Sequence, residues 1–327
     1  MSPMATTYRK LLKSAGAATV AALSFSSAAA ASEWTSVESP TGENINDVAY
    51  TDEGAYAVAG GGIVLKRTDQ GWKKVIEGGP SGNGNDLYGA SVTDDGERLW
   101  FVGASGAVGE YDVTTQTLTD RSNPDGSSNN FNDVAVTNNS GEANVYVSGD
   151  SGQVFYSFDN GKSQTWNSVT PGSGSALKAI DFFASKAGNV VDTNQKVFET
   201  DDGETWDNIG IADAGVTFYG TDSDAADDVW VSGGNGKVFQ WNGNKWTPQD
   251  LGDASLRDIE LNDGNSAGLT VGNGGKIFQF DGSSWQEQQT PTGANLKAVV
   301  RGSPDIAVGA SGSPDIAVGA SGTILER

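Results

Sequence analysis

The chain has 327 residues, with 20 Lys and Arg against 42 Asp and Glu, a formal net charge of -22, and neither histidine nor cysteine. Lacking those two residue types, it has no imidazole base, no thiolate nucleophile, no disulfide and no soft-ligand zinc, copper or iron-sulfur site. Its acidity also argues against nucleic acid as a partner, because phosphate binding needs a basic surface.

The first 31 residues carry Arg9, Lys10 and Lys13 and no acid, then an apolar stretch from Ala15 to Leu23, then small residues ending at Ala31. This order is that of a cleavable export signal, so residues 1–31 are read as a signal peptide, with a Sec or twin-arginine route both open. No other apolar run approaches the length of a membrane span. The expected mature protein, residues 32–327, is therefore extracellular or at the cell surface with no anchor of its own. Removing residues 1–31 takes the charge from -22 to -25. The acids are spread along a chain that holds nine Trp and 12 Phe, which argues for a folded protein rather than disorder. Dispersed carboxylates of this kind keep a folded surface hydrated at high salt, and a halophilic source is expected.

From there the chain is repetitive. An apolar residue opening a short strand recurs at Ile45, Leu87, Phe131, Leu177, Val216, Leu256 and Leu296, with spacings of 42, 44, 46, 39, 40 and 40. That period is one four-stranded propeller blade. Each unit continues with a β-rich segment closed by Gly, as at Gly60, Gly103, Gly149, Gly233 and Gly272. A third alternating strand follows, such as Ile63–Leu65 or Val154–Tyr156, and then an Asx-Gly turn leading to a Trp at 72, 166, 206, 246 or 285. Two units are degenerate: the second has Thr117 and Leu118 in place of the Trp, and the fourth has Asp192 in place of the Gly.

The last unit stops at Arg327 without a fourth strand, whereas the mature chain begins with an unassigned strand-like segment, Glu33–Val37. The expected fold is all-β: a single seven-bladed β-propeller over residues 32–327, its last blade closed by the N-terminal strand. Most Trp residues are then packing between blades, and Trp241, outside the pattern, is the candidate exposed aromatic. The decapeptide 302–311 recurs residue for residue at 312–321. Only Gly319 is followed by the expected turn and third strand, so the first copy should bulge as a loop.

The blade motif, with Leu256-Arg257 and Leu296-Lys297 opening strands and Asp201–Trp206 closing a turn, resembles the photosystem II stability/assembly factor family of propellers. That family lies within the bacterial-neuraminidase (Asp-box) repeat superfamily. The resemblance spans the mature chain and implies a seven-bladed ring. It also implies a partner-binding patch at the residue after each opening apolar position, which here reads Asn46, Tyr88, Asn132, Lys178, Thr217, Arg257 and Lys297. Inner strands line the channel of a propeller, so Lys178, Arg257 and Lys297, with Asn46 and Asn132, are expected to form a basic spot at the channel mouth. Its ligand would be a carboxylate or sulfate of a protein or acidic glycan.

Function follows less directly than fold. The leading expectation is a non-enzymatic, monomeric interaction scaffold or assembly factor with no catalytic residue, cofactor or metal. The competing reading is a glycan-active hydrolase or glycan-binding protein of the sialidase-like superfamily. A sialidase needs an Arg cluster, and the mature arginines are only 67, 98, 121, 257, 301 and 327, with no Arg-Ile-Pro motif. A pair of carboxylates would suffice for other glycosidases. The Gly-Lys pairs at 236–237 and 275–276 have no helix behind them and read as hairpin turns. Asp222–Asp228 reads as a solvated acidic loop rather than a calcium site. Asn138 heads a glycosylation sequon on an expected loop.

Overall fold

The computed structural model describes residues 33–302 and 313–327. The proposed export signal and nearly all of the first decapeptide copy lie outside the described residues. Seven four-stranded antiparallel sheets, six of them made from four consecutive strands, stand in a ring in chain order, and the seventh packs against the first. The seventh sheet is completed by Thr35–Ser36, which pairs with Ile324–Glu326, so the ring is closed by the N-terminal segment. Opposite it in the same blade, Leu296–Val300 pairs with Ile316–Gly319. The second decapeptide copy thus supplies the strand, as the downstream Gly322–Leu325 led one to expect.

The closure is reinforced by side chains. Glu326 accepts two hydrogen bonds from the Arg67 guanidinium, both at 2.9 Å, and a third from the Trp72 indole at 2.9 Å. Glu326 sits in blade seven and its three donors in blade one, so a bidentate charged pair spans the seam.

The blades pack as their Trp pattern implied. Trp100 and Trp230 occupy the same second-strand slot and are wholly buried, and each is covered by an outer-strand Trp of the next blade, Trp166 and Trp285 respectively. Truncating either buried indole to Ala would cost about 3–5 kcal/mol. Trp241 is half-buried instead of free: its ring lies 5.3 Å from that of Trp246 and its N–H donates to the Ala226 carbonyl.

Glycine at the end of the second strand has a steric reason. A Cβ at Gly103, Gly272 or Gly319 would collide with the carbonyl oxygen of the residue just before the inner strand, Asp86, Ser255 or Asn295. In blade one this slot is Ala59, which pairs with Ile45, and not Gly60. Blade five also shifts: its inner strand is Phe218–Ala225, with Phe218 opposite Gly233. The opening pair is therefore Phe218-Tyr219, two residues later than the Val216-Thr217 pair. Val216 is buried just ahead of the strand, which is why its hydropathy misled. Asp222 lies inside that strand and is buried, so Asp222–Asp228 is not a solvated loop.

The turns before the outer strands use their Asx side chains as expected. Asp202 accepts from the backbone N–H of Glu204 and Thr205, both at 2.7 Å, and Asp281 from those of Ser283 and Ser284. The backbone bonds hold the Asp202 carboxyl down at a pKa of about 2, and the Ser283 hydroxyl, followed by the backbone bonds, does the same for Asp281. The acting residue in blade four is Asp202, one past the Asp201 that heads the motif. Gly236 and Gly275, at φ 63° and 74°, sit in turns between second and third strands, which places both Gly-Lys pairs in hairpins.

Candidate functional site

The inner strands share a defect that builds the site. In all seven blades the register breaks between the first and third residues of the inner strand, for example between Ile45 and Asp47 and between Leu256 and Asp258. The second residue is unpaired in each, which is a β-bulge, and a bulge re-aims the side chain it carries. The sequence shows it as two residues between successive apolar ones, as in Ile45–Val48, where a regular strand has one.

The seven bulged residues are Asn46, Tyr88, Asn132, Lys178, Tyr219, Arg257 and Lys297, and all seven line one cavity of about 370 Å³. The five residues singled out from the sequence are thus brought together at one mouth of the channel. Tyr219 takes the place expected for Thr217, and Tyr88 joins it. Sequence reasoning missed three further liners or partners: Asp150 and Asn273, from the hairpins after second strands, and Asn295, from the connection between blades six and seven.

Six of the seven bulged side chains are held by a neighbour. Asn46 donates to the Leu87 carbonyl of the next blade at 2.6 Å, and Asn132 to the Leu177 carbonyl at 2.7 Å. Those two asparagines clip neighbouring blades as well as lining the mouth. Lys297 donates to Asn46 Oδ1 at 2.6 Å. Arg257 donates from Nε to Asn273 Oδ1 at 3.0 Å, and its guanidinium stacks 4.2 Å from the Tyr219 ring centre. Lys178 reaches Asp150 Oδ1 at 3.2 Å, and Asn132 donates to the same oxygen at 2.8 Å. Burial works against the Asp150 carboxylate, but the Asn132 hydrogen bond and the Lys178 charge together bring its pKa below the usual value. Burial, followed by the nearby Arg257 charge, lowers the pKa of Lys297.

Charge is therefore unevenly distributed around the mouth. Lys178 is paired, whereas among the described residues neither Arg257 nor Lys297 has a carboxylate within ion-pair distance. This arrangement offers two adjacent, fixed cationic donors to an incoming oxyanion.

Directly below the mouth the channel turns acidic. Asp47, Asp133 and Asp258, each one residue past a bulge, accept from the following N–H of their own strand and from an inner-strand N–H of the next blade. The inter-blade bonds run from Ala90 at 2.7 Å, Ile180 at 2.9 Å and Val299 at 2.8 Å. Asp181 does the same with Phe182 and Ser223. Inner strands are sheet edges facing the channel, and these carboxylates satisfy the edge N–H groups that water cannot easily reach. Burial first, then the neighbouring Asp47, push the pKa of Asp258 up to about 8. Its exposed surface faces a lumen with room for about 80 Å³ of water and not bulk solvent. Among the described residues, no group of three or more acids is placed to hold a metal ion, and no helix is long and apolar enough to cross a membrane.

Neither a family model nor a curated protein sequence matches the chain. Solved structures do. A structure of YCF48 bound to a D1 peptide superposes with a TM-score of 0.70 at 14% identity, covering 91% of this chain and 96% of that one. Virginiamycin B lyase from Staphylococcus aureus, in a catalytically inactive form with quinupristin, gives 0.74 at 12% identity over 90% and 98%. The WD40 repeats of RRP9 give 0.72 at 11% identity over 90% and 96%. Likeness at this identity shows the propeller fold alone.

Proposed function

We propose that the protein is exported, stands at the cell surface as a monomer, and serves there as a non-enzymatic scaffold that holds a partner protein by an acidic group seated in the channel mouth. The observation that carries this is the Arg257–Lys297 pair: two cations from adjacent blades, positioned by Asn273, Tyr219 and Asn46, on a chain of net charge -22. Against such a background, a local basic site selects and steers an anionic group. The fold is shared with WD40 and YCF48 propellers, and the YCF48 structure carries a bound peptide. The dispersed acidity supports a high-salt setting.

The arginines favour a scaffold over a sialidase-type hydrolase. Arg67, Arg98, Arg121 and Arg327 are tied to Glu326, Asp112, Glu110 and Asp315, Arg301 bonds the Ala267 carbonyl, and among the described residues Arg257 is the one arginine that lines the mouth. One arginine is not the cluster that a sialic acid carboxylate requires. The same ring also hosts an enzyme, virginiamycin B lyase. A form of that enzyme with one histidine replaced is catalytically inactive, and this chain has no histidine.

The test is affinity capture from a cell-surface fraction by the wild type and by Lys178→Glu/Arg257→Glu/Lys297→Glu. Capture of a protein by the wild type, lost in the variant at unchanged melting temperature, supports the reading. Equal capture by both removes the mouth as the site, and retention of only an acidic glycan replaces the protein partner.

A further inference from the structure

A second cavity, of about 540 Å³, shares no lining residue with the mouth and lies between the outer part of blade two and the last turn of blade three. Two departures from the repeat meet there. Blade two lacks the outer-strand Trp, and its chain continues through a single 3₁₀ turn at Pro124–Gly126. Blade three carries Ser163 and Gln164 between Lys162 and Thr165, where the corresponding turn of blade four, Asp201–Trp206, has no residues. Both irregular segments line the cavity. A repeat protein that breaks its own pattern in two neighbouring blades, on facing sides of one groove, has kept the irregularity for a reason other than packing.

The backbone agrees. Asn123, Asp125 and Gln164 have φ of 61°, 52° and 69°, so three non-glycine residues hold the left-handed conformation around one groove. Such geometry costs energy and gathers at ligand-holding loops. The wall residue Arg121 is rigid: its Nε and Nη2 donate to Glu110 at 3.1 and 2.8 Å, and the buried Glu110 also accepts from Asn160 at 3.1 Å.

The chemistry of the lining selects the ligand. Arg121 is neutralised by Glu110, which leaves Asp120 and Asp125 to make the groove net negative and hostile to anions. Its walls present both donors and acceptors, from guanidinium, carboxylates and the Asn123 and Gln164 amides. Hydroxyl groups, which donate and accept at once, match such walls, while the Lys and Arg side chains of a basic peptide would need acceptors alone. Pro124 and Trp166 are largely buried and give the floor only small apolar edges, against which the C–H groups of a sugar ring can rest. The volume lies in the ordinary range for small-ligand sites, roughly 300–1,000 Å³. From these features we infer that the groove between blades two and three binds a neutral oligosaccharide, independently of the anion-binding mouth.

An immobilised array of neutral, sialylated and sulfated oligosaccharides, followed by calorimetric titration with the best neutral compound, tests this. The wild type should retain at least one neutral oligosaccharide. Asn123→Gly/Gln164→Gly removes both amides while keeping the left-handed backbone, and affinity should fall at least tenfold. Arg121→Lys, which keeps the charge beside Glu110 but loses the planar fork, should weaken binding as well and provides a second variant. The triple Glu variant of the mouth should bind the sugar as the wild type does. Retention of no neutral oligosaccharide, retention of acidic ones alone, undiminished binding by both groove variants, or saturation of the groove by a Lys-rich peptide would each overturn the inference.

Discussion

Two sectors of the mouth are built by the same device and end in different electrostatic states. In blades three and four, Asp150 follows the second-strand glycine and sits between Asn132 of its own blade and Lys178 of the next. In blades six and seven the equivalent residue is Asn273, which bonds Arg257 of its own blade and stands beside Lys297 of the next. The bulge delivers a cation in both sectors, and one hairpin residue decides whether that cation is already matched or left for a ligand. A charge count alone would give Lys178, Arg257 and Lys297 equal weight; the surroundings rank them.

The largest effect should come from breaking the unmatched sector. Arg257→Glu/Lys297→Glu is expected to weaken partner binding at least tenfold, while Lys178→Glu costs less than threefold, both read from binding isotherms at fixed salt. Equal losses would erase the distinction between the sectors. Next, Asn273→Asp copies the matched sector into the unmatched one by placing a carboxylate beside Arg257 and Lys297. A surface ion pair of this kind is worth about 0–1 kcal/mol, so affinity should drop up to about fivefold. The reverse change, Asp150→Asn, frees Lys178 and should raise affinity two- to threefold, with a steeper dependence on salt.

A pH titration sharpens the same comparison. Lys297 gives up its proton more readily than an ordinary lysine, through burial and then the Arg257 charge. The contact needs the protonated ammonium and an ionised ligand, so affinity is full from above the ligand carboxyl's pKa through neutral pH and declines as pH rises through the lowered pKa of Lys297. Lys297→Arg, which stays charged, should hold its affinity to higher pH in the same titration. The smallest effect belongs to a region that neither sector uses. Deleting residues 302–311 shortens the connection between Val300 and Ile316 from 15 residues to five, the length that joins Val92 to Arg98 in blade two. The melting temperature should move by no more than about 2 °C, since loop closure changes by less than about 1 kcal/mol.

Much of the ring was legible because each blade repeats a local pattern: apolar opening, glycine, Asx turn, Trp. The closure by Glu33–Val37 was legible for the same reason, as one strand was missing at one end and one was spare at the other. Register was less legible. Val216 and Phe218 are both apolar and two residues apart, so they point to the same face, and only pairing with Gly233 chooses between them. Asp150 was invisible as a site residue because it lies 28 positions from Lys178, and an acid between two glycine-rich turns reads as one more surface charge.

The sequence by itself determined the number of blades, the way the ring closes and the set of side chains offered at the bulges, because these follow from short-range periodicity and from steric demands as local as a glycine against a carbonyl. Only the tertiary structure decided which charges remain available. That depends on through-space neighbours contributed by other hairpins, on how deeply Lys297 and Asp258 are enclosed, and on two irregular segments of adjacent blades that meet across a groove. Electrostatic state is a property of the whole environment of a group, and no stretch of chain carries that environment within it.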